Sequence, residues 1–326
     1  MYAYKNKFAR IVSLLSALVL TIIISGCSPS PSVSEDDAEK INVLCTGFAQ
    51  YDWAKNIALN VPGTEVSLLL NNGVDIHSLQ PSAEDIVRIT KSDMLIYTGG
   101  QSDREIIDII NSAGGKNLTS VNMMSLLGDT LICDDTEHNH THSHRHISEY
   151  DEHIWLSIKN AEVLCRSICD ELSALDPANA EKYNENTEKY ISQLNKLDHE
   201  YTEVIDNAAL HDLVFADRYP FKYLARDYEL NVFAAFPGCS AEENASFGTI
   251  LSLASKIDEL NLTSVITIDN SNSAIAATVC ENAETSNIKI LSLESLQSVT
   301  NDEISAGITY LSAMSDNLEV LREALN

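Results

Sequence analysis

The sequence predicts an α/β protein: two (βα) lobes with mostly parallel sheets, joined by one long rigid connecting helix. Three observations predict it. Short apolar runs of strand length alternate with amphipathic stretches of helical period. The alternation occurs once in each half of the chain, and an uninterrupted helical pattern without Gly or Pro separates the halves. Strands and helices in alternation build a parallel sheet covered by helices.

The chain opens with Lys5, Lys7 and Arg10, an apolar or small stretch from Ile11 to Ile24, and Ile24-Ser25-Gly26-Cys27. That stretch of 14 residues is shorter than the roughly 18–20 that cross a bilayer as a helix. The basic residues stand where the n-region of a signal peptide belongs. Residues 1–26 are therefore expected to be a lipoprotein signal peptide and Cys27 the lipidated residue. Acyl chains there, each methylene contributing about 0.8 kcal/mol on burial, would anchor the protein to the extracytoplasmic face of the cell membrane. Residues 27–40, rich in Ser, Pro and acid, read as a lipid-anchored flexible tether.

The first lobe is expected over 41–178. Ile41–Cys45, Glu65–Leu70 and Met94–Tyr97 read as buried strands, with helices at Ala83–Lys91 and Arg104–Ser112. The connecting helix is expected over 179–208, where Tyr190, Leu194, Leu197, Tyr201 and Val204 recur at alternating four and three residue spacing. At 1.5 Å per residue it would span about 40 Å and brace both lobes. A rigid link of this kind restricts hinge closure, so the pocket is expected to be partly formed without ligand. The second lobe, 209–326, offers strands at Leu213–Phe215, Val232–Phe236, Val265–Ile268 and Ile288–Leu293, and helices at Ser246–Leu260, Ser273–Ala283 and Asp302–Ala324.

Composition narrows the partners. The formal net charge is -27, and removing the leader, with its three basic and no acidic residues, takes it to -30. Such a surface repels phosphate and concentrates cations, so nucleic acid is not expected as a partner, and a monomer is. Cys45, Cys133, Cys165, Cys169, Cys239 and Cys280 show no CxxC spacing and are expected to be buried thiols. Cys165 and Cys169 lie four apart on a helix, too far for an unstrained disulfide. HExxH, HxxEH, GxSxG and P-loop signatures are absent, and His199-Glu200 lacks a second histidine four residues on. The chain therefore reads as a non-enzyme, with a metallohydrolase the remote alternative.

Glu137–His146 reads EHNHTHSHRH, placing His138, His140, His142, His144 and His146 at every second position. Neutral imidazole is the commonest nitrogen ligand of zinc. So many equivalent ligands on one loop select no single geometry, so the tract, within a His-rich loop at 134–149, suits collection of metal for a fixed site elsewhere. Candidates for that site are His77 in Val74-Asp75-Ile76-His77-Ser78 and His153 in Tyr150-Asp151-Glu152-His153-Ile154-Trp155.

At these segments the chain resembles the zinc and manganese solute-binding lipoproteins of ABC importers. Val74 to Ile86 is similar to the family's D-P-H-x-x-x-P-x-P-x-D segment, Tyr97-Thr98-Gly99-Gly100 follows it, and Asp151 to Ser157 is similar to D-P-H-x-W-L. Both prolines before the histidines are replaced, by Ile76 and Glu152. The resemblance implies His77 and His153 as the first-lobe ligands. In the second lobe it points to Asp217, in Phe215-Ala216-Asp217-Arg218, as a third ligand, or else as a residue that only shapes the turn with Arg218. Asp269, after Val265–Ile268, and Glu294, after the last strand, compete for a fourth position. The function implied is capture of Zn2+, with Mn2+ the alternative, and delivery to an ABC transporter permease. A metal-buffering or adhesin-type surface lipoprotein without an importer is the alternative. Imidazole and the histidine tract favour zinc, while carboxylates suit manganese. Ligand histidines bind as the neutral ring, so capture is expected to weaken as pH falls through about 6.5.

Overall fold

The computed structural model describes residues 40–69, 73–113, 118–133, 150–236 and 245–326. The leader, Cys27, nearly all of the tether, Cys239 and the five-histidine tract lie outside the described residues. Among those described, no helix is long and apolar enough to cross a membrane.

The first lobe runs β1 (Ile41–Cys45), α1 (Phe48–Ile57), β2 (Thr64–Leu68), α2 (Ala83–Lys91), β3 (Met94–Tyr97), α3 (Arg104–Ala113), β4 (Thr119–Asn122), α4 (Met123–Leu127) and α5 (Ile158–Leu175). Its strands pair in parallel in the order β2-β1-β3-β4. The two inner strands carry the apolar runs because both of their faces are covered by helices: Val43, Leu44, Cys45 and all of Met94–Tyr97 are buried. Strand β4, with the sequence Thr-Ser-Val-Asn, was not among the expected strands. It lies at the sheet edge, where one buried valine suffices.

Helix α6 (Ala180–Asp206) has 27 residues, agreeing with the expected connecting helix. It leads to β5 (Asp212–Phe215), α7 (Lys222–Asp227), β6 (Asn231–Ala234), α8 (Phe247–Leu260), β7 (Ser264–Ile268), α9 (Ala274–Asn282), β8 (Lys289–Leu293), α10 (Asn301–Ala306) and α11 (Tyr310–Ala324). The second sheet is parallel in the order β6-β5-β7-β8, repeating the topology of the first. The expected single helix Asp302–Ala324 is instead α10 and α11. Gly307 ends α10 at φ 96°, a left-handed conformation that costs glycine little. Side-chain caps restart each piece, from Thr300 with Glu303 and from Thr309 with Ser312. The cysteine expectation also needs correction. Cys45, Cys165 and Cys169 are buried free thiols, but Cys280 is half-buried and Cys133 is exposed.

Lys40–Asn326 cluster as one unit, and α6 explains why. Asn186 on α6 donates to the carbonyls of Ile57 and Leu59 in the first lobe, at 2.9 and 2.8 Å. Tyr201 donates to the Met314 carbonyl in the second, at 2.6 Å. Between them the buried Asp52 carboxylate of α1 accepts from Tyr190 on α6 and from the backbone N–H of Tyr310 on α11. Trp53 stacks edge-on against Tyr310, ring centroids 5.1 Å apart, at a junction where burying each such ring contributes a few kcal/mol, of the order of 2–3. All strands of a parallel sheet end at one edge, and here those edges meet. Ile76 N–H donates to Gln297 O, and Trp155 Nε1–H to Ser295 O at 2.9 Å. Open α/β sheets bind ligands at these carboxyl-terminal edges.

Candidate metal centre

Two short turns deliver the histidines. Asp75 caps a 3-10 turn over Ile76–Ser78, its Oδ1 accepting from the His77 N–H at 3.0 Å. A second 3-10 turn, Ile154–Leu156, starts at His153, whose N–H donates to Asp151 Oδ1 at 3.0 Å. In each turn an aspartate two residues upstream fixes the backbone of the histidine, a local Asx arrangement readable from the spacing Asp-x-His. The turns bring the rings together, with His77 Nε2 at 3.1 Å from His153 Nε2. Trp155 closes over the second ring edge-on, at 5.3 Å.

The other ring nitrogens have carboxylates behind them. His153 Nδ1 is 2.9 Å from Asp151 Oδ1, and His77 Nδ1 is 3.2 Å from Glu152 Oε1 and 2.7 Å from Ser102 Oγ. Ser102 donates to Glu152 through its hydroxyl at 2.7 Å and its backbone N–H at 3.0 Å. A carboxylate only accepts, and the Ser102 proton is already engaged, so this network assigns the Nδ1–H tautomer to both rings. Two Nε2 lone pairs then face each other, an arrangement that a shared proton or a metal ion relieves. Burial works to raise the carboxyls of both Asp151 and Glu152. The histidines outweigh it, by the charge a ring carries when protonated and by hydrogen bond, with Lys222 added at Asp151 and Ser102 at Glu152, and hold both below the usual range.

The second lobe reaches into this edge through cations. Arg218 Nη1 donates to Asp75 Oδ2 at 3.1 Å, and Lys222 Nζ stands 3.4 Å from Asp151 Oδ2. Asp217 uses Oδ1 to accept from the Arg218 N–H at 2.8 Å. Its Oδ2 is buried with no hydrogen-bond partner among the described residues. Asp269 and Glu294 lie together at the ends of β7 and β8. Asp269 Oδ1 accepts from Ser295 N at 2.7 Å, and Glu294 Oε1 from Leu296 N at 3.3 Å. Burial and the adjacent Asp269 charge push Glu294 up to about 7. Thus His77 and His153 are brought together. Asp217, Asp269 and Glu294 stand at the facing edge, and among the described residues they form no ligand cluster with the pair. The tract His138 to His146 lies outside the described residues, but the residues bracketing it meet. Cys133 bridges to Tyr150, and Asp151 N–H donates to Ile132 O at 2.8 Å, two residues before His153.

Sequence reasoning missed Ser102 as a neighbour of His77, and Arg218 and Lys222 as partners of Asp75 and Asp151, and saw Glu152 only as a replaced proline. The one signal for it was a second carboxylate directly before a candidate ligand.

Comparison with known proteins gives a concordant picture. A family model described as ZnuA, zinc-uptake complex component A periplasmic, matches residues 43–324. The zinc-binding lipoprotein AdcA of Streptococcus pneumoniae is 27% identical over 316 residues, covering 96% of this chain but 60% of its own length. This chain therefore spans about three fifths of that relative. The high-affinity zinc uptake system protein ZnuA of Bacillus subtilis is 25% identical over 313 residues, 95% of this chain and 96% of its own. The crystal structure of the Zn(II)-bound ZnuA-like domain of S. pneumoniae AdcA aligns with a TM-score of 0.70 at 26% identity, covering 88% of this chain and 99% of that one.

Proposed function

The chain belongs to the ZnuA family of periplasmic zinc-uptake components, whose members bind metal for uptake and are not enzymes, and from that premise we propose that it captures zinc, ahead of manganese, outside the cytoplasmic membrane and passes it to an ABC transporter permease. The observation that carries the reading is the 3.1 Å approach of two Nε2 atoms, each ring backed by a carboxylate. Bonds of about 2.0–2.1 Å from each nitrogen to zinc would subtend an angle of about 100° across that gap, which suits a tetrahedral ion. A carboxylate of the second lobe, Asp217, Asp269 or Glu294, would add a third ligand to the two imidazoles. Zinc-binding relatives support zinc over manganese, as does the five-histidine tract of the sequence. Lipidation at Cys27 places capture at the membrane surface, next to the permease.

The test is calorimetric titration of the metal-stripped chain with zinc and manganese, for the parent, the His77→Ala/His153→Ala double variant, and a variant lacking Glu137 to His146. One tight zinc site lost in the double variant and retained without the tract supports capture at the pair. Tight binding that survives the double variant and disappears with the tract would make the protein a metal buffer and overturn the assignment.

A further inference from the structure

We infer that Glu152 is a positioning residue: it locks the His77 ring with its proton on Nδ1, so that Nε2 carries the lone pair a metal requires before metal arrives. This rests on the proposed role of His77 as a ligand and goes beyond it, because at this position the resembling family segment carries proline, which offers no acceptor.

Three features argue it. Both oxygens of Glu152 are anchored on a single residue, Oε1 accepting from the Ser102 hydroxyl at 2.7 Å and Oε2 from the Ser102 N–H at 3.0 Å. The hydroxyl proton is thereby spent, and Ser102 Oγ and Glu152 Oε1 turn only acceptor capacity toward His77 Nδ1, at 2.7 and 3.2 Å. A slot is also reserved for the carboxylate. A Cβ at Gly100 would fall 2.3 Å from Glu152 Oε2 and 2.6 Å from its Cβ, so the second glycine of Tyr97-Thr98-Gly99-Gly100 leaves the space that Glu152 fills. Finally, the preceding residue, Asp151, serves His153 in the same way at 2.9 Å. Consecutive side chains of one segment thus orient two histidines that lie 76 positions apart. A carboxylate behind a ligand imidazole fixes its tautomer and raises its basicity, and loss of such a partner typically weakens metal binding about 10–100-fold.

The test uses the mature chain with 15N-labelled histidine, stripped of metal, to read the His77 tautomer by NMR, and zinc competition against a chelator to read affinity. The parent is expected to show Nδ1–H at His77. Glu152→Ala is expected to mix the tautomers and weaken zinc binding about 10–100-fold at an unchanged melting temperature of the metal-free protein. Glu152→Gln, whose amide oxygen can accept in the same slot, is expected to keep the tautomer and lose less. Gly100→Ala, which crowds the carboxylate from the other side, should reproduce Glu152→Ala should that variant fold poorly. A parental tautomer and affinity in both Glu152→Ala and Gly100→Ala would overturn the inference. A tautomer that depends on Glu152 in a parent binding no zinc would sink the metal-site reading while leaving the positioning role intact.

Discussion

The two facing edges are built from the same topology and carry opposite electrostatic states. At the first-lobe edge each imidazole is matched to a carboxylate, and Asp151 and Glu152 are held below their ordinary range despite burial. At the second-lobe edge Asp269 stands beside Glu294, and burial with that like charge pushes Glu294 up to about 7. The basic residues available there, Arg218 and Lys222, cross to Asp75 and Asp151 of the first lobe. The second lobe thus neutralises its neighbour and leaves its own acid pair crowded. One edge is finished around two imidazole nitrogens, and the other holds carboxylate oxygens whose mutual repulsion a cation would relieve.

The contrast breaks most sharply if the imidazole pair is not the main source of affinity. His77→Ala and His153→Ala are each expected to weaken zinc binding more than about 100-fold, beyond the 10–100-fold typical of residues behind a ligand. Chelator competition measures it, and a parental affinity in either variant would remove the first-lobe edge from the site. Next in size is a pH effect beneath the same edge. Asp103 is fully buried, accepts from the Gly99 N–H at 2.8 Å, and is pushed up to about 6, chiefly by burial. The Glu152 charge adds to the rise, and the hydrogen bond from the Gly99 N–H opposes it. A folded-state pKa raised above the unfolded one gives stability that is complete below about 4 and is lost as pH rises through about 6. Asp103→Asn should remove that loss, so its melting temperature should gain on the parent between pH 4 and 7, by the equivalent of about 2–3 kcal/mol. A constant difference across that range would show that Asp103 does not titrate there.

The fold was legible where period and burial agree. Met94–Tyr97 and Ile41–Cys45 are continuous apolar runs because they are inner strands covered on both faces. The connecting helix was legible because its buried positions repeat without a break. The edge strand Thr119–Asn122 was not, since one buried valine carries no periodic signal, and the break at Gly307 was hidden inside an apolar pattern that continues across it. At the site, His77 and His153 were legible through their local segments and the Asp-x-His turns that hold them. Their partners were not. Ser102 and Glu152 are 50 residues apart and Arg218 meets Asp75 across 143, so only the meeting of the two sheet edges makes them neighbours.

The smallest expected effects sharpen the second-lobe side. Asp217→Asn, Asp269→Asn and Glu294→Gln each keep size while removing charge, and one of the three is expected to weaken zinc binding about 10-fold, roughly the contribution of one charge-assisted contact. Among the described residues, Asp217 has a buried oxygen without a hydrogen-bond partner, and its other oxygen accepts from the neighbouring Arg218 N–H. It can turn toward a cation without breaking another contact. Asp269 would first have to give up Ser295 N, and Glu294 the Leu296 N–H. The same amides separate the possibilities in the metal-free protein. Asp269→Asn or Glu294→Gln relieves the like-charge pair and should raise the melting temperature, whereas Asp217→Asn relieves no such pair. A variant that binds zinc about 10-fold more weakly while its metal-free form is no less stable marks the ligand. If all three bind as the parent does, the second lobe shapes the cleft through Arg218 and Lys222 and supplies no ligand from these carboxylates.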